Sequence, residues 1–277
     1  MKINKRLPCR MSSVKTPRQK YLHARRVDKV TVLCLQIGVL AAFLGIWELA
    51  TALGWIDSFI MSSPSRIIKI LSTLQPSELF KHIAYTLLEC IVGFIAASGL
   101  GVLIAVALWR FTKLRKVLEP YIVVLNALPK IALGPIIIIW VGAGAQAIIV
   151  MTVLICIIVT VISMLNAFMS VDEGKILLLQ SMGANKWQIL TKLILPANVP
   201  AIVNMLKINV GLAWVGTIMG EYLVSTAGLG YLIIYGSQVF KMDLVMASTV
   251  ILCMLATVMY LAVAGIERIA KKKYHVE

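Results

Sequence analysis

Charge is scarce in this sequence. Only 14% of its 277 residues are charged and 60% are hydrophobic, whereas a soluble domain carries about 25% charged and about 45–50% apolar residues. That balance excludes a water-soluble domain with a large core and points to a chain that crosses a membrane several times. Usable cysteine chemistry is also missing. Cys9, Cys34, Cys90, Cys156 and Cys253 are odd in number, scattered and without C-x-x-C spacing, so neither a disulfide framework nor a cysteine metal site is implied. The three histidines, His23, His82 and His275, fall outside every expected span, although His82 borders the second. With no G-x-S-x-G elbow and no metal-ligand cluster, an intramembrane protease would lack its nucleophile and base. No G-x-x-x-x-G-K-[ST] phosphate loop occurs either, so the chain has no usual means of hydrolysing ATP itself.

What is present is a series of long apolar runs. Crossing a bilayer takes roughly 20 mostly apolar residues, and six stretches qualify: 30–53, 83–109, 118–141, 145–169, 199–224 and 244–266. The first run is too long for a cleavable signal, whose apolar region is about 7–15 residues. Residues 1–29 therefore read as a basic tail, 54–82 and 225–243 as outer loops, 170–198 as an inner loop and 269–277 as a second tail. The expected fold is an all-α membrane protein with six spans. The net charge of +15 reports topology rather than nucleic-acid binding, because the basic residues cluster between spans and lack interleaved aromatics. Twenty-one Lys and Arg lie on the side of the tails, the "RFTKLRK" loop and residues 170–198, against four (Arg66, Lys69, Lys81, Lys241) on the other. Both termini are thus expected in the cytoplasm, in a multi-pass protein of a prokaryotic cell membrane. Outside, "SSPSRIIKILSTL" reads as a short amphipathic surface helix. The glycine-rich "STAGLGYLIIYGSQVFKMD" reads as a loop that dips partway back into protein.

One inner segment, "LLLQSMGANKWQILTKLILPANVP" from Leu177 to Pro200, is polar and broken. Its spacing predicts a helix over 175–182, a left-handed stop at Gly183 and an N-cap at Asn185 answered by Gln188. A second helix over 186–195 should end at Pro196, with Ile189, Leu190, Leu193 and Ile194 on one face. Such an element is either an interfacial linker resting on lipid or a docking helix for a cytoplasmic partner.

The segment "MGANKWQILTKLILP" resembles the cytoplasmic loop signature of ABC importer permeases, with Gly183 followed by Leu193-Ile194-Leu195-Pro196. The Glu-Ala-Ala of that signature is replaced by Leu177-Leu178-Leu179, which are expected to pack rather than meet a charge. "WELATALGWIDSFIMSSPSRI", "LNALPKIALGPIIIIWVGAGAQ" and "GLAWVGTIMGEYLVSTAGLGYLI" are similar to the nitrate/sulfonate/taurine group of these permeases. The resemblance implies a type-1 importer permease fold with a cytoplasmic coupling helix. It implies a second copy of the permease, two cytoplasmic ATPase subunits holding ATP and magnesium, and an external substrate-binding protein, with no cofactor on this chain. Residues Gln180, Ser181, Met182, Gly183, Ala184, Asn185 and Trp187 would then touch the ATPase subunit. The substrate it suggests is a small anion such as a sulfonate, taurine or nitrate, with a pyrimidine vitamin precursor as the alternative. A secondary carrier, which should show internal repeats, is the further alternative.

Ionisable residues inside spans are costly and are functional candidates. Glu89, Lys130, Lys207 and Glu221 are the candidate pathway residues, and Glu48 stands near the outer end of the first span. Lys130 follows Pro129 midway along the third run, with Pro135 five residues on, so that span is expected to be kinked or discontinuous. Lys130 either attracts an anionic substrate at the break or lies nearer the cytoplasmic face. Lys207 can snorkel towards the cytoplasm, and Gly211, Gly216 and Gly220 should allow close helix packing.

Overall fold

The computed structural model describes residues 17–274, with side chains between Asp28 and Arg268 other than Lys29, Ser58 and Ile60. Most of the basic tail, including Cys9, and the C-terminal residues from His275 lie outside the described residues. Every regular element among the described residues is helical. In order they are α1 (Pro17–Ala52), α2 (Ser58–Met61), α3 (Pro64–Thr73), α4 (Pro76–Arg110) and α5 (Thr112–Ala127). There follow a 3₁₀ turn (Lys130–Leu133), α6 (Gly134–Val141), α7 (Ala145–Met169), α8 (Glu173–Ser181), α9 (Lys186–Ile189) and a π-helical turn (Leu190–Ile194). The chain closes with α10 (Leu195–Ala197), α11 (Val199–Val224), α12 (Leu229–Gln238) and α13 (Met242–Tyr274). Among the described residues five helices are long and apolar enough to cross a membrane, and α5 followed by Lys130–Val141, bent by 89°, has the length and composition of a sixth, broken span.

The chain divides into two compact units, residues 1–58 with 63–65, and residues 59–62 with 66–277. In the first, the apolar stretch Val30–Ala52 of α1 forms the span. Glu48 near its end accepts hydrogen bonds from the Ser65 backbone N–H (3.1 Å) and hydroxyl (2.8 Å). That carboxylate is therefore engaged by protein, where the sequence alone suggested only a reach towards the interface.

The second unit is built around α7, which packs along α4 on one side and α11 on the other. The close approach follows from small residues. A Cβ on Gly216 would lie 2.7 Å from the Thr152 Cα, and one on Gly93 would lie 2.6 Å from the Thr152 Cγ2. Thr152 is thus wedged between glycines of both neighbours, and its hydroxyl bonds Thr217 across the α7–α11 seam at 3.1 Å. Gly220 makes a similar approach to Ile148. Gly211 does not share this role, since a Cβ there would meet nothing within 4 Å. Deeper still, the Asn209 amide donates to Ser98 Oγ (3.0 Å) and Thr160 Oγ1 (2.7 Å), joining α11 to α4 and α7. Buried polar groups with partners across helices fix the register of a bundle that apolar packing alone would leave free.

The third span is discontinuous because Pro129 has no N–H to continue the ladder and pushes its predecessor out of the helical region. Leu128 is accordingly extended at φ −64°, ψ 139°. Outside, α3 is present where an amphipathic helix was expected. Ile67 is buried and Arg66 pairs with Asp243 at the start of α13 (2.8 Å), so this helix is tied to protein. The glycine-rich outer loop forms α12, whose Leu229, Gly230 and Gly236 are buried.

Candidate functional sites

Two places concentrate the polar chemistry of the second unit. The inner one is the broken segment. Asp172 caps α8 by accepting from the Gly174 N–H at 2.7 Å, so the helix starts at Glu173, two residues before the sequence reading placed it. At its end Gly183 takes φ +81°, with the Gly183 N–H donating to the Gln180 carbonyl and the Ala184 N–H to the Leu179 carbonyl, both at 2.9 Å. Those two bonds make a Schellman stop. Asn185 and Gln188 then form a complete capping box, each side chain accepting from the other's backbone N–H at 2.8 Å.

Beyond the box the expected helix over 186–195 does not stop at Pro196. The ladder widens into the π turn, because the ring of Pro196 removes a donor and crowds the carbonyl four residues back. The Asn198 side-chain amide donates to the Ile194 carbonyl at 2.9 Å. Ile189, Leu190 and Ile194 are buried against Leu108 of α4, Met164 and Phe168 of α7 and Met205 of α11. The apolar stripe therefore roots the element in protein instead of resting on lipid. Of the three leucines expected to pack, only Leu179 does so; Leu177 (66%) and Leu178 (60%) are exposed. Met182 (74%) and Trp187 (67%) are exposed too, and so are Gln180, Ser181, Gly183 and Asn185, while Ala184 is half-buried. A rigid base thus carries an apolar, open tip.

The outer place is the foot of α12. Three successive N–H groups at its start are each received by a side chain. Gly228 donates to His82 Nδ1 (2.9 Å), Leu229 to Thr86 Oγ1 (2.8 Å) and Gly230 to Glu221 Oε2 (2.5 Å). These are the orphan donors that any helix start leaves. Glu89 of α4 lies beside Glu221 of α11, and both are buried. The sequence reading chose both glutamates but missed His82, Thr86, Gly228 and Gly230. A signal was available: a Cβ on Gly228 or Gly230 would strike the Glu221 carboxylate at 2.5 and 2.7 Å. An intramembrane glutamate followed by Gly-Leu-Gly therefore marks a carboxylate seated on a helix start.

The other two charged candidates lie elsewhere. Lys207 is half-buried and forms an ion pair with Glu267 of α13. Lys130 opens the 3₁₀ turn, and its ammonium donates to the Asn126 carbonyl (3.2 Å) and side-chain oxygen (3.5 Å). At about 1.5 Å rise per residue, the stretch of α5 from Lys116 to Ala127 carries the break about 17 Å along the helix from the "RFTKLRK" end. Lys130 is thus at a break well away from that end rather than beside it, and α5 itself has no buried residue. Among the described residues no group of three or more His, Cys, Asp or Glu could hold a metal ion.

A family model described as the binding-protein-dependent transport system inner membrane component matches residues 97–275. The chain belongs to that family. This permease is 27% identical over 260 residues to the taurine transport system permease protein TauC of Escherichia coli (strain K12), spanning 89% of this chain and 94% of that one. It is 30% identical over 229 residues to a probable ABC transporter permease protein of Haemophilus influenzae, spanning 83% and 92%. With the formylaminopyrimidine transport permease protein ThiX of Halalkalibacterium halodurans it shares 29% over 187 residues, 67% and 74% of the two chains. In fold, the permease superposes on a chain of the inward-facing MetNI methionine ABC transporter with a TM-score of 0.58 at 23% identity, covering 72% and 97%. A chain of a bacterial ABC transporter importing the acidic polysaccharide alginate gives 0.62 at 17%, covering 91% and 96%. The permease therefore has the type-1 ABC importer fold and the membrane-pathway role of such an importer.

Proposed function

We propose that the permease works as a pair of copies with two cytoplasmic ATPase subunits and an external substrate-binding protein, importing a small anion such as a sulfonate, taurine or nitrate. The observation that carries this reading is the elbow at Gly183. Its tip (exposed Gln180, Ser181, Met182, Gly183, Asn185 and Trp187, with half-buried Ala184) is the ATPase contact, and its buried stripe reaches α4, α7 and α11. A push on the tip is then delivered to the three packed helices rather than lost in a flexible loop, which is what a coupling helix requires. ATP and magnesium belong to the ATPase subunits, since this chain has no phosphate loop. The distribution of Lys and Arg puts the elbow and both termini in the cytoplasm.

Of the candidate pathway residues, Lys130 faces the substrate. It is the one cation at the helix break, and a half-buried ammonium held only by amide oxygens of Asn126 can still meet an anion. Glu89, Glu221 and Lys207 are the further candidate pathway residues, Glu221 bonded to the start of α12 and Lys207 to Glu267. The small-anion choice is supported by Lys130 and by the name of the taurine relative. The formylaminopyrimidine relative supports a pyrimidine vitamin precursor as the second reading.

Co-expression with candidate ATPase subunits tests the assembly. The wild type should co-purify with one of them, and Gly183→Pro should release it, because proline cannot take φ +81° or donate the Gln180 bond. Movement of solute along an ion gradient by the chain alone, with no ATPase bound, would overturn the reading.

A further inference from the structure

We infer that Glu89 and Glu221 share a single proton and act together as a carboxyl clasp that fixes the start of α12 on α4. The hydrogen-bond inventory leads there. Glu221 Oε2 accepts from the Gly230 N–H at 2.5 Å. Glu89 Oε2 and Glu221 Oε1 receive no N–H or O–H from any other described group, although both are buried. Among the described residues no Lys or Arg pairs with either carboxyl, the ion pairs there being Arg66–Asp243 and Lys207–Glu267. The neighbouring titratable groups are His82, whose Nδ1 is occupied by the Gly228 N–H, together with Cys90 and Tyr222.

Two carboxylates in contact, buried and without a cation, repel strongly, as paired acids do elsewhere. One proton between them resolves this: Glu89 donates it to Glu221, and both orphan oxygens gain a partner. The remaining negative charge sits on Glu221, at the N-terminus of a ten-residue helix, where the backbone N–H groups and the helix dipole favour an anion. Two protons would lose that charge, and none would leave the orphans unmet. Glu89 is thus a positioning residue acting through Glu221. The clasp also explains why Gly228 and Gly230 flank Leu229, since a Cβ at either position would displace the carboxylate.

Infrared difference spectroscopy of the purified full-length chain in lipid, at neutral pH in water and in deuterium oxide, reads the proton directly. The wild type should show one deuterium-sensitive carboxylic C=O stretch above the amide band. Glu89→Gln and Glu221→Gln, each of which keeps a hydrogen-bonding amide in place, should both abolish it. No such band in the wild type, or a band persisting in either variant, overturns the shared proton. Hydrogen exchange of the α12 peptide tests the clasp. Glu221→Ala should speed exchange there at least tenfold while α7 peptides keep wild-type protection, and Glu89→Gln should leave both unchanged. Unaltered α12 exchange in Glu221→Ala overturns the positioning role, whatever the transported substrate proves to be.

Discussion

Replacing Gly216 by alanine and Gly211 by alanine should change stability in opposite directions, although both lie in α11. Alanine gains about 0.8–1 kcal/mol over glycine from helix propensity alone. At Gly211 nothing else changes, because the added methyl meets no atom within 4 Å, and a gain of up to about 1 kcal/mol is expected. At Gly216 the methyl would stand 2.7 Å from the Thr152 Cα. Backbone cannot rotate away as a side chain can, so α7 and α11 must separate. Overpacking of this kind costs about 1–3 kcal/mol, and separating the helices also weakens the 3.1 Å Thr152–Thr217 bond, a further loss of about 0.5–1.5 kcal/mol. After the propensity gain, the net loss is about 0.5–3.7 kcal/mol. Equilibrium unfolding in mixed micelles, with increasing sodium dodecyl sulfate and tryptophan fluorescence as the readout, measures both variants. If Gly216→Ala is as stable as the wild type, or the two variants shift alike, the seam does not have the described geometry.

Asn185→Ala removes half of the capping box and should weaken the elbow by about 1 kcal/mol, lowering ATPase co-purification while leaving bundle unfolding nearly unchanged; equal loss in both measurements would contradict this. Leu177→Glu and Leu178→Glu should cause no more than about 0.5 kcal/mol change in unfolding, as expected for surface substitutions, because both side chains are exposed. Lys130→Met should raise the substrate concentration needed for half-maximal uptake into vesicles with little effect on folding, and uptake kinetics that match the wild type would remove Lys130 from the pathway. Lys207→Met deletes the Lys207–Glu267 ion pair and should lower stability in the same unfolding assay, and wild-type stability would count against a role for that pair.

Local chemistry was legible wherever neighbours in sequence decide it. The stop at Gly183 and the Asn185–Gln188 box form because all their partners lie within six residues. The break at Pro129 likewise follows from a missing N–H and the steric demand of the ring. The length of the apolar runs and the skew of Lys and Arg carried the membrane class, since both respond to the bilayer and not to the fold. Family resemblance then supplied the elbow's partner, which no local rule contains.

Contacts between distant segments were hidden. Nothing local distinguishes Leu177 and Leu178, which stay exposed, from Leu179, which is covered; the difference is the direction each side chain takes relative to α4 and α7. Gly211 and Gly216 read alike until Thr152 arrives beside only one of them. Glu89 and Glu221 are 132 positions apart and looked like separate intramembrane acids. Packing α4 against α11 brings their carboxyls together and sets His82, Thr86 and Glu221 beneath three successive N–H groups of α12. The sequence by itself determined the spans and the capped elbow, because hydrophobicity and turn geometry act over a few residues. Tertiary structure alone decided which acids meet and which glycines matter, because burial and hydrogen bonding across helices depend on positions that sequence order does not hold together.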